Sequence, residues 1–235
     1  MNPSRKRIGI TLVLSLGMLV CGIASATTVM SFDEMQHQPA ELVDNYYNGG
    51  CSSSYSGSGI TCGGPNYGVV WSSALAGGAP NGLWGNVANE PSGPNVMGFL
   101  DANSAIMNVA AGFDTGFSFY YAAPNTAGSI TVYDGLNDSG NILATLFLPI
   151  NGGNCDGFAQ TYSCWSPIGV TFAGIAKSVN FGGVADFIVF DNVTIGSNTP
   201  GGGNGNNVSE PATLGMFGLG MLLIGLFAGV RRRVS

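Results

Sequence analysis

Along the middle of the chain, apolar side chains recur at every second position in short runs, and each run is bounded by Gly, Asn, Asp or Ser. That two-residue period is the mark of strands with one buried face. In Phe117-Ser118-Phe119-Tyr120-Tyr121, positions 117, 119 and 121 form one aromatic face. Ile130 and Val132 alternate with Ser129, Thr131 and Tyr133, and the turn residues Asp134-Gly135 and Asn137-Asp138-Ser139-Gly140 lead into a run from Ile142 to Leu148. The pattern predicts strands over 29–35, 67–71, 96–100, 105–109, 116–121, 129–133, 142–148, 170–172, 178–181 and 187–195. Pro39 to Asp44 reads as one short helical turn. Residues 46–65 and 77–93 read as loops, the second interrupted by Leu83-Trp84. Helical periodicity is almost absent, so the expected fold is all-β, an antiparallel β-sandwich over residues 27–196.

The two ends break this pattern. Arg5-Lys6-Arg7 precedes an apolar run from Ile8 to Ile23 and then Ala24-Ser25-Ala26. This is the layout of a secretory signal peptide, a helix over 1–26 cleaved after Ala26; an uncleaved anchor is the other reading. At the far end a Gly/Asn-rich linker over 197–208 leads to Ser209-Glu210-Pro211, a charge-free run from Leu214 to Val230, and Arg231-Arg232-Arg233. A transmembrane helix over 212–230 is expected. The charge-free part spans about 25 Å, slightly short of the roughly 30 Å hydrocarbon core. The arginines stop transfer and leave the C-terminus in the cytoplasm.

Setting the ends aside changes the charge. Six of the seven cations lie in them, so residues 27–200 carry Lys177 against 12 acids, a net charge of −11. Such a surface repels phosphate backbones, which excludes nucleic acid as a partner. Neutral sugars, cations and basic partners remain. Four cysteines stay in the exported part as two local pairs, Cys51 with Cys62 and Cys155 with Cys164. An oxidising destination and short separations favour two loop-stapling disulfides, each worth about 2–3 kcal/mol on the loop-entropy model.

Counting by two along the last strand puts Asp191 on the face of Phe187, Val189, Val193 and Ile195. A carboxylate there needs a metal such as Ca²⁺, or a bulge that turns it onto backbone amides. Asp134, Asn137 and Asp138 crowd one turn, which turn chemistry explains without a cation. Trp71, Trp84 and Trp165, helped by Tyr46, Tyr47, Tyr55 and Tyr67, are candidates for stacking on sugar rings, Trp84 and Trp165 foremost; the alternative is that they plug the sandwich edge. His37, the single histidine, reads as solvent-facing, and there is no Gly-x-Ser-x-Gly elbow to pair with it. Asp114, Asp134 and Asp156 are acids of the type used by glycosidases, but no spacing singles out a pair.

The tail resembles the PEP-CTERM sorting signal, in which Pro-Glu-Pro precedes a membrane span and a basic end. Here Ser209 stands in place of the first proline, with Glu210, Pro211 and Arg231-Arg232-Arg233 as the matching parts. The resemblance implies an exosortase-type membrane enzyme as partner, transient anchoring in the inner membrane, and delivery to the cell envelope or exterior within an exopolysaccharide matrix. Phe32-Asp33-Glu34 and Phe190-Asp191-Asn192-Val193 resemble the first and last strands of carbohydrate-binding jelly rolls. That likeness implies a structural Ca²⁺ with Asp33 or Glu34 and Asp191 among its ligands. The function expected from all this is a non-enzymatic exported envelope or matrix protein, with a lectin-like module for neutral polysaccharide as the alternative and a polysaccharide hydrolase behind it.

Overall fold

The computed structural model describes residues 27–37, 39–78 and 84–202; the signal peptide, Ser209-Glu210-Pro211, the span over 212–230 and Arg231-Arg232-Arg233 lie outside them. Among the described residues there is no helix, hence none long and apolar enough to cross a membrane. The strands in chain order are β1 (Thr28–Met30), β2 (Glu41–Leu42), β3 (Ser53–Ser54), β4 (Val69–Ser72), β5 (Leu75–Gly78), β6 (Asn95–Gly98) and β7 (Ser104–Phe113). They continue as β8 (Phe117–Ala122), β9 (Gly128–Tyr133), β10 (Ile142–Leu148), β11 (Ser166–Val170), β12 (Ala176–Gly182) and β13 (Val189–Ile195). All the strand pairings are antiparallel and make two sheets. The large one runs β11-β8-β13-β6-β5-β2-β3 with β1 also on β13, and the small one runs β10-β9-β12-β7-β4.

The sheets face each other across an aromatic core. Trp71, Met107, Val179 and Phe181 of the small sheet meet Met97, Phe117, Phe119 and Phe190 of the large one. Phe181 sits 5.0 Å from Phe190 and 5.8 Å from Phe119, both at steep angles that suit ring quadrupoles. The alternation read at 117, 119 and 121 is present, and all three rings are buried. A second apolar cluster lies on the outer face of the large sheet, where Leu75, Val96, Ala122 and Val189 meet Trp84, Val87 and Tyr162 from overlying loops. Strands covered on both faces have few polar positions, which is why Ser118, Asp191 and Thr194 are buried too.

Several elements differ from the pattern-based expectation: the first strand, expected over 29–35, ends at Met30, and the expected loop over 46–65 contains β3. Pro39 to Asp44 is not a helical turn: Leu42 pairs with both Ser53 and Leu75, making β2 a strand between β3 and β5. Leu75-Ala76-Gly77-Gly78, half of it expected as loop, is a fully buried strand. Its glycines permit close approach rather than turning, since a Cβ at Gly78 would collide with the Pro94 carbonyl. The strand expected at 170–172 lies earlier, at Ser166–Val170, paired with β8.

Candidate functional site

Asp33 and Asp191, singled out at the two ends of the domain, bind neighbouring parts of one segment, Asn95 and Ser92, while Glu34 does not join them. β1 and β6 share one edge of β13: Met30 is opposite Val193, and Met97 is opposite Phe190. Between these contacts β13 carries a bulge, with a register shift between Asp191 and Thr194 and a left-handed φ of 49° at Asn192. Counting by two therefore fails across Asn192. Val189 joins the outer cluster, while Phe190 and Val193 both face the inter-sheet core.

At such a joint, backbone N–H groups lose their ladder partners and need acceptors. The two aspartates supply them. Asp191 Oδ2 accepts from the Ser92 amide at 2.9 Å, and Oδ1 accepts from the Ser92 hydroxyl at 3.0 Å and from its neighbour's amide, Asn192, at 2.6 Å. Asp33 Oδ1 accepts from the Asn95 amide at 3.1 Å. Glu34 turns elsewhere and accepts from the Tyr47 hydroxyl at 3.2 Å. Burial pushes the Asp191 carboxyl up to about 7; the Ser92 and Asn192 donors oppose that rise, and the charge of Asp33 adds to it. Burial likewise raises Glu90, with a further push from Asp33. Among the described residues no three His, Cys, Asp or Glu side chains converge as a metal cage. Asp191 is filled by N–H and O–H donors, the bulge reading of this residue; a Ca²⁺ would have to share its oxygens with them.

The aromatic candidates separate sharply. Trp84 is 5% exposed and covers Gly77 and Gly98; a Cβ at Gly98 would lie 2.6 Å from its ring. It is the plug of the alternative reading and has no face to offer a sugar. Trp71, Tyr46 and Tyr47 are core residues as well. Trp165 is half-buried against the outer cluster, its indole donating to the Ala88 carbonyl at 3.0 Å. Tyr67 is exposed and stacks on Tyr47 at 5.9 Å.

Tyr55 is the aromatic that borders an opening. A groove of about 220 Å³ on the outer side of the large sheet is lined by Leu42, Leu75 and Leu100 as floor, with Tyr55, Ser73 and Asp101 around it. The Tyr55 hydroxyl donates to Asp101 Oδ2 at 2.9 Å. That bond, more than burial, raises the Tyr55 hydroxyl above its ordinary value, so the phenol stays neutral. Leu42 and Leu75 reach the groove through β2 and β5, the strands that pattern reading missed. Asp101 carries no sequence signal; it is one acid in a loop.

Both cysteine pairs are bonded as expected, Cys51 to Cys62 and Cys155 to Cys164. The first loop is also clamped by a group that sequence reasoning overlooked, the buried Glu41. Its carboxylate accepts from the His37 amide at 2.8 Å, the Thr61 amide at 2.7 Å, the Thr61 hydroxyl at 2.8 Å and the Ser52 hydroxyl. Burial drives Glu41 up, yet the Ser52, His37 and Thr61 donors together outweigh it and hold the group below its usual value. His37 is 45% exposed but not free, with Nδ1 3.1 Å from Glu41 Oε1. The acids considered for hydrolysis are already hydrogen-bonded: Asp114 by Thr115 and Asp134 by Asn141 within their own loops, and Asp156 by Asn89 from a different loop.

The comparison that decides where the chain goes concerns its tail. Residues 207–233 match the family described as the PEP-CTERM protein-sorting motif. The chain carries an exosortase sorting signal. A PEP-CTERM tail marks an exported protein handled at the membrane by an exosortase, in agreement with the order of parts read from Ser209 to Arg233. No curated protein matches the chain. Among solved structures it is similar to a glycoside hydrolase family 43 arabinoxylan arabinofuranohydrolase from Bacillus subtilis, at 19% identity over 46% of this chain and TM-score 0.33. It spans 23% of that hydrolase's length. It is also similar to a family 6 carbohydrate-binding module, at 19% identity over 53% of this chain and 82% of the module, TM-score 0.34. A β-1,3-glucan-binding module from Bacillus halodurans matches at 14% identity over 54% of this chain and 87% of that one, TM-score 0.35. Likeness at this level says nothing about ligands.

Proposed function

We propose that this is a non-enzymatic protein of the cell envelope or extracellular matrix whose jelly-roll-like domain, residues 27–196, holds neutral polysaccharide in the Tyr55 groove. On this reading the signal peptide over 1–26 and the helix over 212–230 are delivery devices, joined to the domain through the linker at 197–208. The observation that carries it is the groove itself: an apolar floor, an aromatic wall and a carboxylate held by that wall's hydroxyl. Sugar rings present C–H faces to apolar or aromatic surface and hydroxyls to carboxylates, which is the chemistry on offer. The net charge of −11 over residues 27–200 disfavours acidic glycans, so the ligand is uncharged. Trp84 and Trp165 belong to the same outer cluster but do not line the groove.

Affinity electrophoresis of the full-length chain in gels containing laminarin, xylan, mannan or dextran tests the reading. Retardation by at least one polymer, weakened about tenfold or more in Tyr55→Ala, is expected; one lost aromatic contact of about 1.4 kcal/mol gives that factor. Equal mobility of wild type and Tyr55→Ala in every gel would discard it.

A further inference from the structure

One edge of the small sheet is left open. A strand at the end of a sheet presents N–H and C=O groups with no neighbour, and folded proteins shorten, cover or break such edges. Three of the four sheet ends follow that rule. β3 is two residues long, β11 carries Pro167, and β4 is covered by the 44–47 loop. In that cover the Asp44 and Tyr47 carbonyls accept from the Trp71 and Val69 amides at 2.9 and 3.3 Å. β10 is the exception. It has seven residues, pairs with β9 alone, and contains neither a charge nor a proline. Among the described residues no backbone group bonds to it on the side away from β9.

The side chains agree with the backbone. Phe147, Ile142 and Ile150 are 66%, 60% and 55% exposed, more than any other large apolar side chain among the described residues. All three lie on β10 or just beyond its end. The sequence around them is uncharged, with no acid or base from Ser139 to Cys155, although residues 27–200 carry a net charge of −11. A charged partner therefore finds no countercharge on this strand. Two copies of so acidic a domain repel each other through most of their surface, and an uncharged edge is where they can approach.

Self-pairing also has a register that covers all three residues. Ala144 to Leu148 keep one regular register on β9, so the edge is straight there. An antiparallel pair with its two-fold axis at Leu146 brings Ile142 to Ile150 of the second copy and Phe147 to Thr145. The two Phe147 rings then lie diagonally across the axis, within reach of each other. Together these contacts bury on the order of 500 Å² per copy, the scale of a weak, concentration-dependent dimer. We propose that β10 is a self-association edge, through which two copies of this chain pair antiparallel and fuse their small sheets into one. With β4 covered at the other end, the assembly closes at two copies. The inference goes beyond glycan binding and does not rest on it.

Sedimentation velocity of the full-length chain in mild detergent, over about a hundredfold range of concentration, reads the association. The wild type is expected to pass from monomer to dimer as concentration rises, and more readily as salt screens the mutual repulsion. Ile142→Glu/Phe147→Glu sets like charges at the axis and should weaken the dimer at least tenfold. Its thermal melting should be unchanged, because both positions are exposed. In a mixture of Thr145→Cys and Phe147→Cys chains, mild oxidation should join one kind to the other, since opposed Cβ atoms lie about 5 Å apart. A wild type that stays monomeric at every concentration would overturn the proposal. So would a glutamate variant that dimerises as well as the wild type, or a dimer in which the mixed cross-link never forms.

Discussion

Ser92 donates both its amide and its hydroxyl to Asp191, a residue 99 positions away, at 2.9 and 3.0 Å. The contact seals the joint where β1 and β6 meet end to end against β13. It also leaves a carboxyl with no exposed surface in a domain that has one lysine to offset it.

Stability should therefore depend on pH through Asp191. Its folded value is about 7, against about 3.9 unfolded. The folded state holds a proton that the unfolded chain has released, so the contribution is fully present below about pH 4 and is lost as pH rises through 7. The slope reaches about 1.4 kcal/mol per pH unit inside that window. Urea unfolding at steps from pH 4.5 to 7.5 should show the wild type weakening with pH more steeply than Asp191→Asn. Parallel slopes would contradict the assignment.

Calcium tests the same joint differently. Because Asp191 is filled by donors, we expect neither added Ca²⁺ nor chelator to move the unfolding midpoint. A bound ion at 100-fold excess over its Kd would stabilise by about 2.7 kcal/mol, which melting would register. A shift of that size, abolished by Asp33→Asn, would restore the cation to this site.

Glu41 should be among the least replaceable side chains. Glu41→Ala strands the Thr61 and His37 amides and the Ser52 hydroxyl together, at a cost of about 3 kcal/mol or more. Removing the Cys51–Cys62 bond should cost about 2–3 kcal/mol. The two lesions loosen the same loop, so the double variant should lose less than their sum. Additive losses in denaturant titration would show that the clamp and the disulfide act independently.

Trp84→Ala should lower stability by about 3–5 kcal/mol, since it empties the space over Gly98. Any glycan binding lost in that variant would report unfolding, not a missing contact. Trp165→Ala should cost less, because that ring is half-buried. Comparable melting of Trp84→Ala and wild type would show that the plug is dispensable.

How far the sequence carries can be argued from particular residues. The aromatic face of β8 was readable because alternation there is undisturbed, and the span of β10 because its run from Ile142 to Leu148 follows a clear turn. β5 was not, because its glycines signal turns locally and serve close packing in three dimensions. Asp191 was readable as an anomaly, a carboxylate in an apolar run. Its solution was hidden, because the bulge at Asn192 and the donor at Ser92 are set by strands that meet only after folding. The Tyr55 groove was hidden for the same reason: Leu42, Leu75 and Asp101 come from three segments with no common motif. The sorting tail was fully readable, since its meaning lies in linear order.

The pairing of β1 with β13 has one more consequence. Thr28 lies opposite Ile195, and Gly202 backs directly onto Thr27, so the described chain enters and leaves the domain at one corner. β13 runs from the loops at 183–188 down to that corner, a rise of about 24 Å for seven extended residues. The loop carrying Leu100 and Asp101 stands toward the far end, because β6 runs antiparallel to β13 with Met97 opposite Phe190. Thr27 and Gly202, the two ends of the described domain, therefore lie together at the end of β13 opposite the loop that supplies Leu100 and Asp101 to the Tyr55 groove.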